Sequence, residues 1–401
     1  MDRLTTIERA AVAAAGAEPM LEQVEAWATI NSGSRNLEGL ARMAAIYADA
    51  FGVLGSLSFA DPDPVQAMTG DGGLQDLPHG RHLHLAVRPA AAVRILFTGH
   101  MDTVYGVDHP FQSLHWREPG VLVGPGVADM KGGLAVLLSA LKAVEASPLA
   151  SRVGYEVVIN SDEEVGSASS AALITRAARG KRAALTFEPA SRPDGTLAGA
   201  RPGSGNFSIR FTGRSAHAGR NPADGRNAVV AAAALAVRLA DSVRPGLLVN
   251  VARIEGGGPN NVVPDHAVLR VNIRPQTPAK EQEASVFLRE AVDETAAHHD
   301  VTCTLHGGFG RPPKTLTSAD EALFAMVSAA GADLGQTIAW QPSGGVCDGN
   351  NIAACGVPVV DTMGVRGGAI HSPDEYLIVD SLAERAALAA VTILRLAGDA
   401  A

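Results

Sequence analysis

The sequence predicts an α/β protein, a larger body in which helices flank a sheet, interrupted by a smaller α+β unit of ferredoxin-like type. Three observations carry that expectation. Short apolar runs ending in polar side chains alternate with longer segments whose apolar residues recur at helical spacing, as strands alternate with helices. Between Gly205 and Leu305 the order changes to strand, helix, strand, strand, helix, strand. The chain has 401 residues, 46% of them hydrophobic, enough for a sizeable core and two domains.

Taken in order, the first fifty residues predict two helices, the second carrying Leu40, Ala44, Tyr47 and Phe51 on one face after an Asn36 cap. His82 to Val87 alternates, Val93 to Phe97 follows within hairpin distance, and together they open a sheet. The second run leads into Thr98-Gly99-His100-Met101-Asp102. A strand places residues i and i+2 on one face, so His100 and Asp102 stand together just past its carboxyl end, where open α/β sheets bind ligands. That suits a metal ligand and the carboxylate that orients it. Gly124 to Gly133 is turn-rich and leads into Leu134, Leu137, Leu138 and Leu141, which puts Asp129 at or just before a helix N-terminus. The strand Val153 to Ile159 ends in Asn160-Ser161-Asp162-Glu163-Glu164, and the strand Ala183 to Phe187 ends in Glu188.

From Gly205 the ferredoxin-like unit begins. Phe207, Ile209 and Phe211 alternate, Ala223 to Leu239 predicts a helix, Leu247 to Ile254 and Val268 to Ile273 predict strands, about Ala279 to His298 a second helix, and Val301, Cys303 and Leu305 alternate. Its boundaries fall in the Gly/Pro-rich Gly199 to Gly205 and Gly307 to Lys314, which divides the chain into a body of 1–203 with 313–401 and an insert of 204–312. The body resumes with a helix near Ala319 to Ala332 and a strand Val357 to Asp361. It then passes Gly364, Gly367 and Gly368 to reach His371, and ends in a helix carrying Leu382, Ala386, Ala389 and Ile393.

Composition narrows the function. A net charge of -9 with no Lys/Arg block among aromatics argues against nucleic acid and anionic membranes as partners. No uncharged run approaches the roughly 18 residues of a membrane span, and Asp2 and Glu8 make a poor signal peptide, so a cytoplasmic location is expected. Cys303, Cys347 and Cys355 form neither an even framework nor a Cys-x-x-Cys pair, which leaves any metal to His, Asp and Glu. A Gly-x-Ser-x-Gly elbow is absent, which argues against a serine hydrolase.

The remaining chemistry converges. His100, His371, Asp129, Glu164 and Glu188 fall in loops on one sheet edge, and five N/O ligands are the right number for two divalent ions sharing one bridging carboxylate. Ions about 3.5–4 Å apart clamp a water between them, and zinc lowers its pKa toward about 7. Glu163, next to Glu164 but pointing elsewhere, is placed to take that water's proton and hand it to a leaving amine. The expected reaction is metal-assisted amide hydrolysis.

At these residues the chain resembles the dinuclear-zinc aminoacylase and carboxypeptidase family and, within it, glutamate carboxypeptidases of the carboxypeptidase G type. The matching segments are Gly99 to Val104, Gly126 to Gly133, Ser161 to Ser167, Phe187-Glu188-Pro189, Gly213 to Gly219 and Ile370-His371-Ser372, in family order over nearly the whole chain. The resemblance implies a zinc-peptidase-like mixed sheet with an inserted lid and dimerisation domain, and two zinc ions per subunit, cobalt or manganese being alternatives. It implies His100, Asp129 and Glu188 on one ion, Asp129, Glu164 and His371 on the other, and Asp102 orienting His100. His217 would reach a partner subunit's active site in a homodimer and support the developing oxyanion. Asn261 and Arg274 match positions that hold the substrate carboxylate, and the Gly367-Gly368 backbone is a further candidate for that contact. The chain departs from the family in Ser343 to Asn350 and Val365 to Gly368, segments expected to line the specificity pocket, with Cys347 a small filler. The expected function is release of a C-terminal amino acid, glutamate favoured, from a peptide or N-acyl amino acid. The alternatives are removal of acetyl or succinyl from an amino acid, and a non-catalytic metal-dependent binding protein, which would have no need of Glu163.

Overall fold

The structure, a computed structural model, describes residues 3–398. Three helices open the chain where two were expected: α1 (Thr6–Gly16), α2 (Met20–Ala28) and α3 (Leu37–Gly52). Pro19 explains the division, because it cannot donate within a helix and instead stands just before α2, where its missing N–H has no helical partner to lose. Asn36 caps α3 as expected, accepting from the Gly39 N–H at 3.1 Å.

The body continues with strands β1 (Ser56–Ala60), β2 (His82–Val87) and β3 (Val93–His100), helix α4 (Gly133–Glu145), strand β4 (Val153–Asn160), helix α5 (Ala171–Ala178) and strand β5 (Ala183–Thr186). The insert supplies β6 (Ser204–Thr212), α6 (Ala228–Ala240), β7 (Leu247–Gly256), β8 (His266–Pro275), α7 (Pro278–His299) and β9 (Thr302–Arg311). After it come α8 (Ser318–Asp333), α9 (Asp348–Ala353), the short β10 (Val359–Val360) and α10 (Asp380–Gly398).

The main sheet runs β1-β2-β4-β3-β5-β10. The β1–β2 and β2–β4 pairs are antiparallel, and β4–β3, β3–β5 and β5–β10 are parallel, a mixed sheet. The hairpin expected of β2 and β3 does not form, because β4 inserts between them, pairing Ile159 with Leu83 and Val157 with Phe97. All of β3 except Arg94 is buried, and its neighbours on both edges are parallel, the pairing common among strands covered on both faces. Its alternation assigns the layers. Ile95 and Phe97 join Val157, Ile159 and Leu185 in the large core under α1, α4 and α10, whereas Leu96, Val158 and Ala184 face Leu173, Ile174 and Ala177 of α5 and Ile352 of α9. Burying each of the larger of these side chains contributes about 1.5–3 kcal/mol, so these two cores fix where the strand ends stand. Among the described residues no helix is long and apolar enough to cross a membrane.

In the insert, β7-β8-β6-β9 is wholly antiparallel, and with this connectivity it is a ferredoxin-like sheet. Phe207, Ile209 and Phe211 alternate into a core of its own with Leu235 of α6, Leu269 of β8 and Leu288 of α7. The first of its helices starts later than the sequence suggested, because Pro222–Asp224 makes a separate tight turn before Asn227 caps α6.

Candidate metal centre

Five chain segments meet at the carboxyl edge of the main sheet. His100 ends β3, Glu163 and Glu164 follow β4, Glu188 follows β5, and Asp129 lies in the irregular turn Val127–Gly132 that leads into α4. His371 arrives from the glycine-rich segment after β10 with φ at +61°, a left-handed conformation unusual for a side-chain-bearing residue and concentrated at functional sites. Close approach needs glycine at one place in particular. A Cβ on Gly133, where α4 begins, would lie 1.9 Å from the Phe187 carbonyl oxygen, so glycine lets the Asp129 turn press against the end of β5, next to Glu188.

The geometry centres on Asp129. Its Oδ1 is 3.1 Å from His100 Nε2 and its Oδ2 is 3.2 Å from His371 Nε2. Each imidazole also faces one glutamate, His100 Nε2 at 3.6 Å from Glu188 Oε2 and His371 Nε2 at 3.1 Å from Glu164 Oε2. Ligand atoms of His100, Asp129 and Glu164 lie within 4.8 Å of one another, and so do those of His100, Glu163 and Glu188. Behind them His100 Nδ1 sits 2.9 Å from the Asp102 carbonyl oxygen and 3.4 Å from its Oδ1. The Asp102 carboxylate also accepts from the Glu163 N–H at 3.1 Å, the Glu164 N–H at 3.2 Å and the Ser34 hydroxyl at 2.7 Å, so it holds both the imidazole and the glutamate turn.

The electrostatics fit a cation. Burial above all pushes Glu188 up to about 8, with Asp129 and Glu163 adding to the rise and His100 opposing it. Burial and Asp129 likewise hold Glu164 well above the usual carboxylate range. Asp129 is lowered despite its burial, because His100 and His371 hydrogen-bond it, and bonds to Asp129 and Glu164 push His371 up to about 11. Glu188 Oε1 is buried with no hydrogen-bond partner. Crowded carboxylates that resist ionising together, an orphaned carboxylate oxygen and two imidazoles make an oxygen- and nitrogen-rich donor set suited to divalent metal ions.

Two residues with no role assigned from the sequence complete the centre. Glu375, four residues past His371, is buried and accepts at Oε1 from the Ala128 and Asp129 N–H groups, both at 3.0 Å, and at Oε2 from the Gly126 N–H at 3.2 Å and the Tyr105 hydroxyl at 2.9 Å. Arg311, at the end of β9, places Nη1 2.6 Å from Glu163 Oε1 and donates from Nη2 to the Glu163 carbonyl and the Ser167 hydroxyl, both at 2.9 Å.

A cavity of about 510 Å³ opens on the centre, and Gly367 and Gly368 line it together with Glu163 and His371. His217, Asn261 and Arg274 do not. The first two are exposed neighbours in the insert, joined by the Ala218 N–H donating to the Asn261 carbonyl at 2.9 Å, and His217 Nδ1 accepts from the Gly219 and Arg220 N–H groups. Arg274 reaches the cavity's rim, donating from Nη1 to the Gly344 carbonyl at 3.1 Å.

Known proteins resemble the chain in sequence and in fold. The profile of peptidase family M20/M25/M40 matches residues 96–395. Carboxypeptidase G2 of Pseudomonas sp. (strain RS-16) is 30% identical over 307 residues, covering 75% of this chain and 74% of its own. A succinyl-diaminopimelate desuccinylase of Verminephrobacter eiseniae (strain EF01-2) is 26% identical over 313 residues, 73% and 76% of the two chains. Among solved structures, aminopeptidase PepT of Bacillus cereus ATCC 10987 superposes with a TM-score of 0.72 at 23% identity, covering 94% of this chain and 98% of that one.

Glu375 generates the first prediction. Its two oxygens satisfy three backbone N–H groups around Asp129, and a glutamine offers one oxygen for them. Glu375→Gln should weaken divalent-metal binding about 10–100-fold, read by calorimetric titration of the apoprotein. Unchanged affinity would refute a positioning role for Glu375.

Proposed function

The chain belongs to peptidase family M20/M25/M40 and is a metal-dependent hydrolase of amide bonds, and from that premise we propose that it releases a C-terminal amino acid, glutamate favoured, from a peptide or N-acyl amino acid. The observation that carries this reading is the division of Asp129, one oxygen facing His100 beside Glu188 and the other facing His371 beside Glu164, with Glu163 at the edge of the same cavity. We assign the two metal sites accordingly, to two zinc ions per subunit, with cobalt or manganese suiting the same donors. Ions held by these residues would supply Lewis acidity to polarise the scissile carbonyl and would lower the pKa of a bound water toward about 7.

The chain's own groups do the rest. Glu163 takes a proton from the attacking water and returns it to the leaving amine nitrogen. Arg311 steadies that carboxylate, and Asp102 keeps the His100 ring and the Glu163 backbone in register. Arg274, Asn261 and the Gly367-Gly368 backbone receive the substrate carboxylate away from the crowded acids, a planar guanidinium fork suiting a carboxylate bidentately.

His217 does not line the cavity of its own chain, which supports its serving a partner's site in a homodimer. The insert offers a surface for one. Val230, Ala233, Ala234 and Val237 form an exposed stripe along α6, and β7, the edge strand beside β8, exposes Leu248 and Ile254. A stripe at this spacing on a helix and an open strand edge are features that a second copy covers. The desuccinylase relative favours one second reading, hydrolysis of an N-succinyl or other N-acyl group from an amino acid at the same centre.

Replacing Glu163 by glutamine removes the base and no ligand. Turnover of N-acyl amino acids should fall by roughly 10²–10⁴-fold or more while bound metal per chain stays constant. Near-normal turnover would remove Glu163 from the mechanism. The partner role of His217 is open to complementation, because a mixed dimer of inactive His217→Ala and inactive Glu163→Gln chains contains one intact site. Part of the activity should return on mixing. Its failure to return, with subunit exchange demonstrated by differently tagged chains, would place His217 outside the neighbouring site.

A further inference from the structure

Away from the metal centre, the same cavity meets a buried cluster of opposite sign. Arg201, one of its lining residues, donates from Nε and Nη2 to the two carboxylate oxygens of Asp361, at 2.8 and 3.1 Å. Lys314 Nζ donates to Asp361 Oδ2 at 2.8 Å. The three side chains are buried, at 7, 0 and 0% exposure for Arg201, Lys314 and Asp361. Two cations therefore share one carboxylate, and among the described residues neither cation has another ion pair. Charge held out of water without a counter-ion is costly, so the surplus calls for an anion from outside the chain.

The surroundings narrow where that anion can come from. Arg201 Nη1 donates to the Gly345 carbonyl at 3.0 Å and to the Ser343 hydroxyl at 3.4 Å, in the rim loop that Arg274 grips at Gly344. Those bonds use four of the five N–H groups of a guanidinium and leave one on Nη2. The lining also includes Val346, Cys347 and Thr362, none of them charged, Cys347 being held as the neutral thiol by burial. Glu188 also lines the cavity and its charge reaches Arg201, but its carboxylate makes its close contact with His100, 3.6 Å away at the metal centre, and no ion pair with either cation. A purely structural role would be met with less. Arg201 and Lys314 already join their two segments through paired backbone hydrogen bonds, at 2.9 and 3.0 Å, and one cation would neutralise Asp361.

We propose that this part of the cavity, with Arg201 as its specificity-determining residue, receives a second substrate carboxylate carried on a short methylene chain from the scissile amide. A glutamyl residue carries such a group on the amine side of the amide and a succinyl group on the acyl side. The inference rests on the amide-hydrolase reading above and extends it to what the cavity selects.

The test compares each acid with its neutral amide on the metal-loaded wild-type enzyme, N-acetylglutamate against N-acetylglutamine in one arm and N-succinylalanine against N-succinamoylalanine in the other. A charge-assisted contact predicts a kcat/KM preference for the acid of about ten- to a hundredfold in the arm that supplies the natural carboxylate. Arg201→Met should bring that ratio toward parity and Arg201→Lys should retain part of it. Equal hydrolysis of acid and amide by wild type in both arms, or a preference that survives in Arg201→Met, overturns the proposal while the amide-hydrolase reading stands. Should the methionine variant fail to fold, the wild-type ratios and the lysine variant decide. No hydrolysis in either arm overturns the reading itself, and the proposal with it.

Discussion

The arrangement depends on one carboxylate that must face two ways. Asp129 can turn one oxygen to His100 and the other to His371 only if its backbone is held still, and the structure invests heavily in holding it. Glu375 accepts the Ala128 and Asp129 N–H groups, α4 begins four residues on, and a glycine at the start of that helix lets the turn close against the strand that delivers Glu188. Burying several acids together is unfavourable in itself, which is why Glu164 and Glu188 are pushed upward in this chain and why the donor set suits dications.

Legibility in the sequence followed how local each cause is. His100, Glu164 and Glu188 stand at or just beyond the ends of strands whose apolar runs are plain in the chain, and Asp129 precedes a helix with a clear leucine stripe, so these positions could be inferred from spacing and chemistry. The strands of the insert were legible for the same reason, since Phe207, Ile209 and Phe211 alternate into their own core. Pairing was not legible. Whether β3 meets β2 or β4 is a property of the assembled sheet, which neither strand's own pattern of residues contains.

The residues that sequence reasoning missed act across long separations. Glu375 bonds to backbone 246 to 249 residues away, Arg311 to Glu163 across 148, and Arg201 to Asp361 across 160. No window of sequence contains both partners of such a contact. Arg311 and Lys314 even lie in a stretch legible only as a boundary, yet one reaches Glu163 and the other Asp361 in the cationic cluster, so the join between body and insert also holds side chains behind the site. The rim loop is held in the same manner, by Arg274 from the insert and Arg201 from the body, which links what the cavity selects to how the two parts sit together.

The central claim is that Asp129 bridges two ions. Crystals of the metal-loaded protein, with diffraction recorded on either side of the metal's absorption edge, test it most directly. The account predicts two anomalous peaks about 3.5–4 Å apart, one beside each oxygen of Asp129, with His100 and Glu188 on one and His371 and Glu164 on the other. A single peak, or a pair that does not share Asp129, would contradict it.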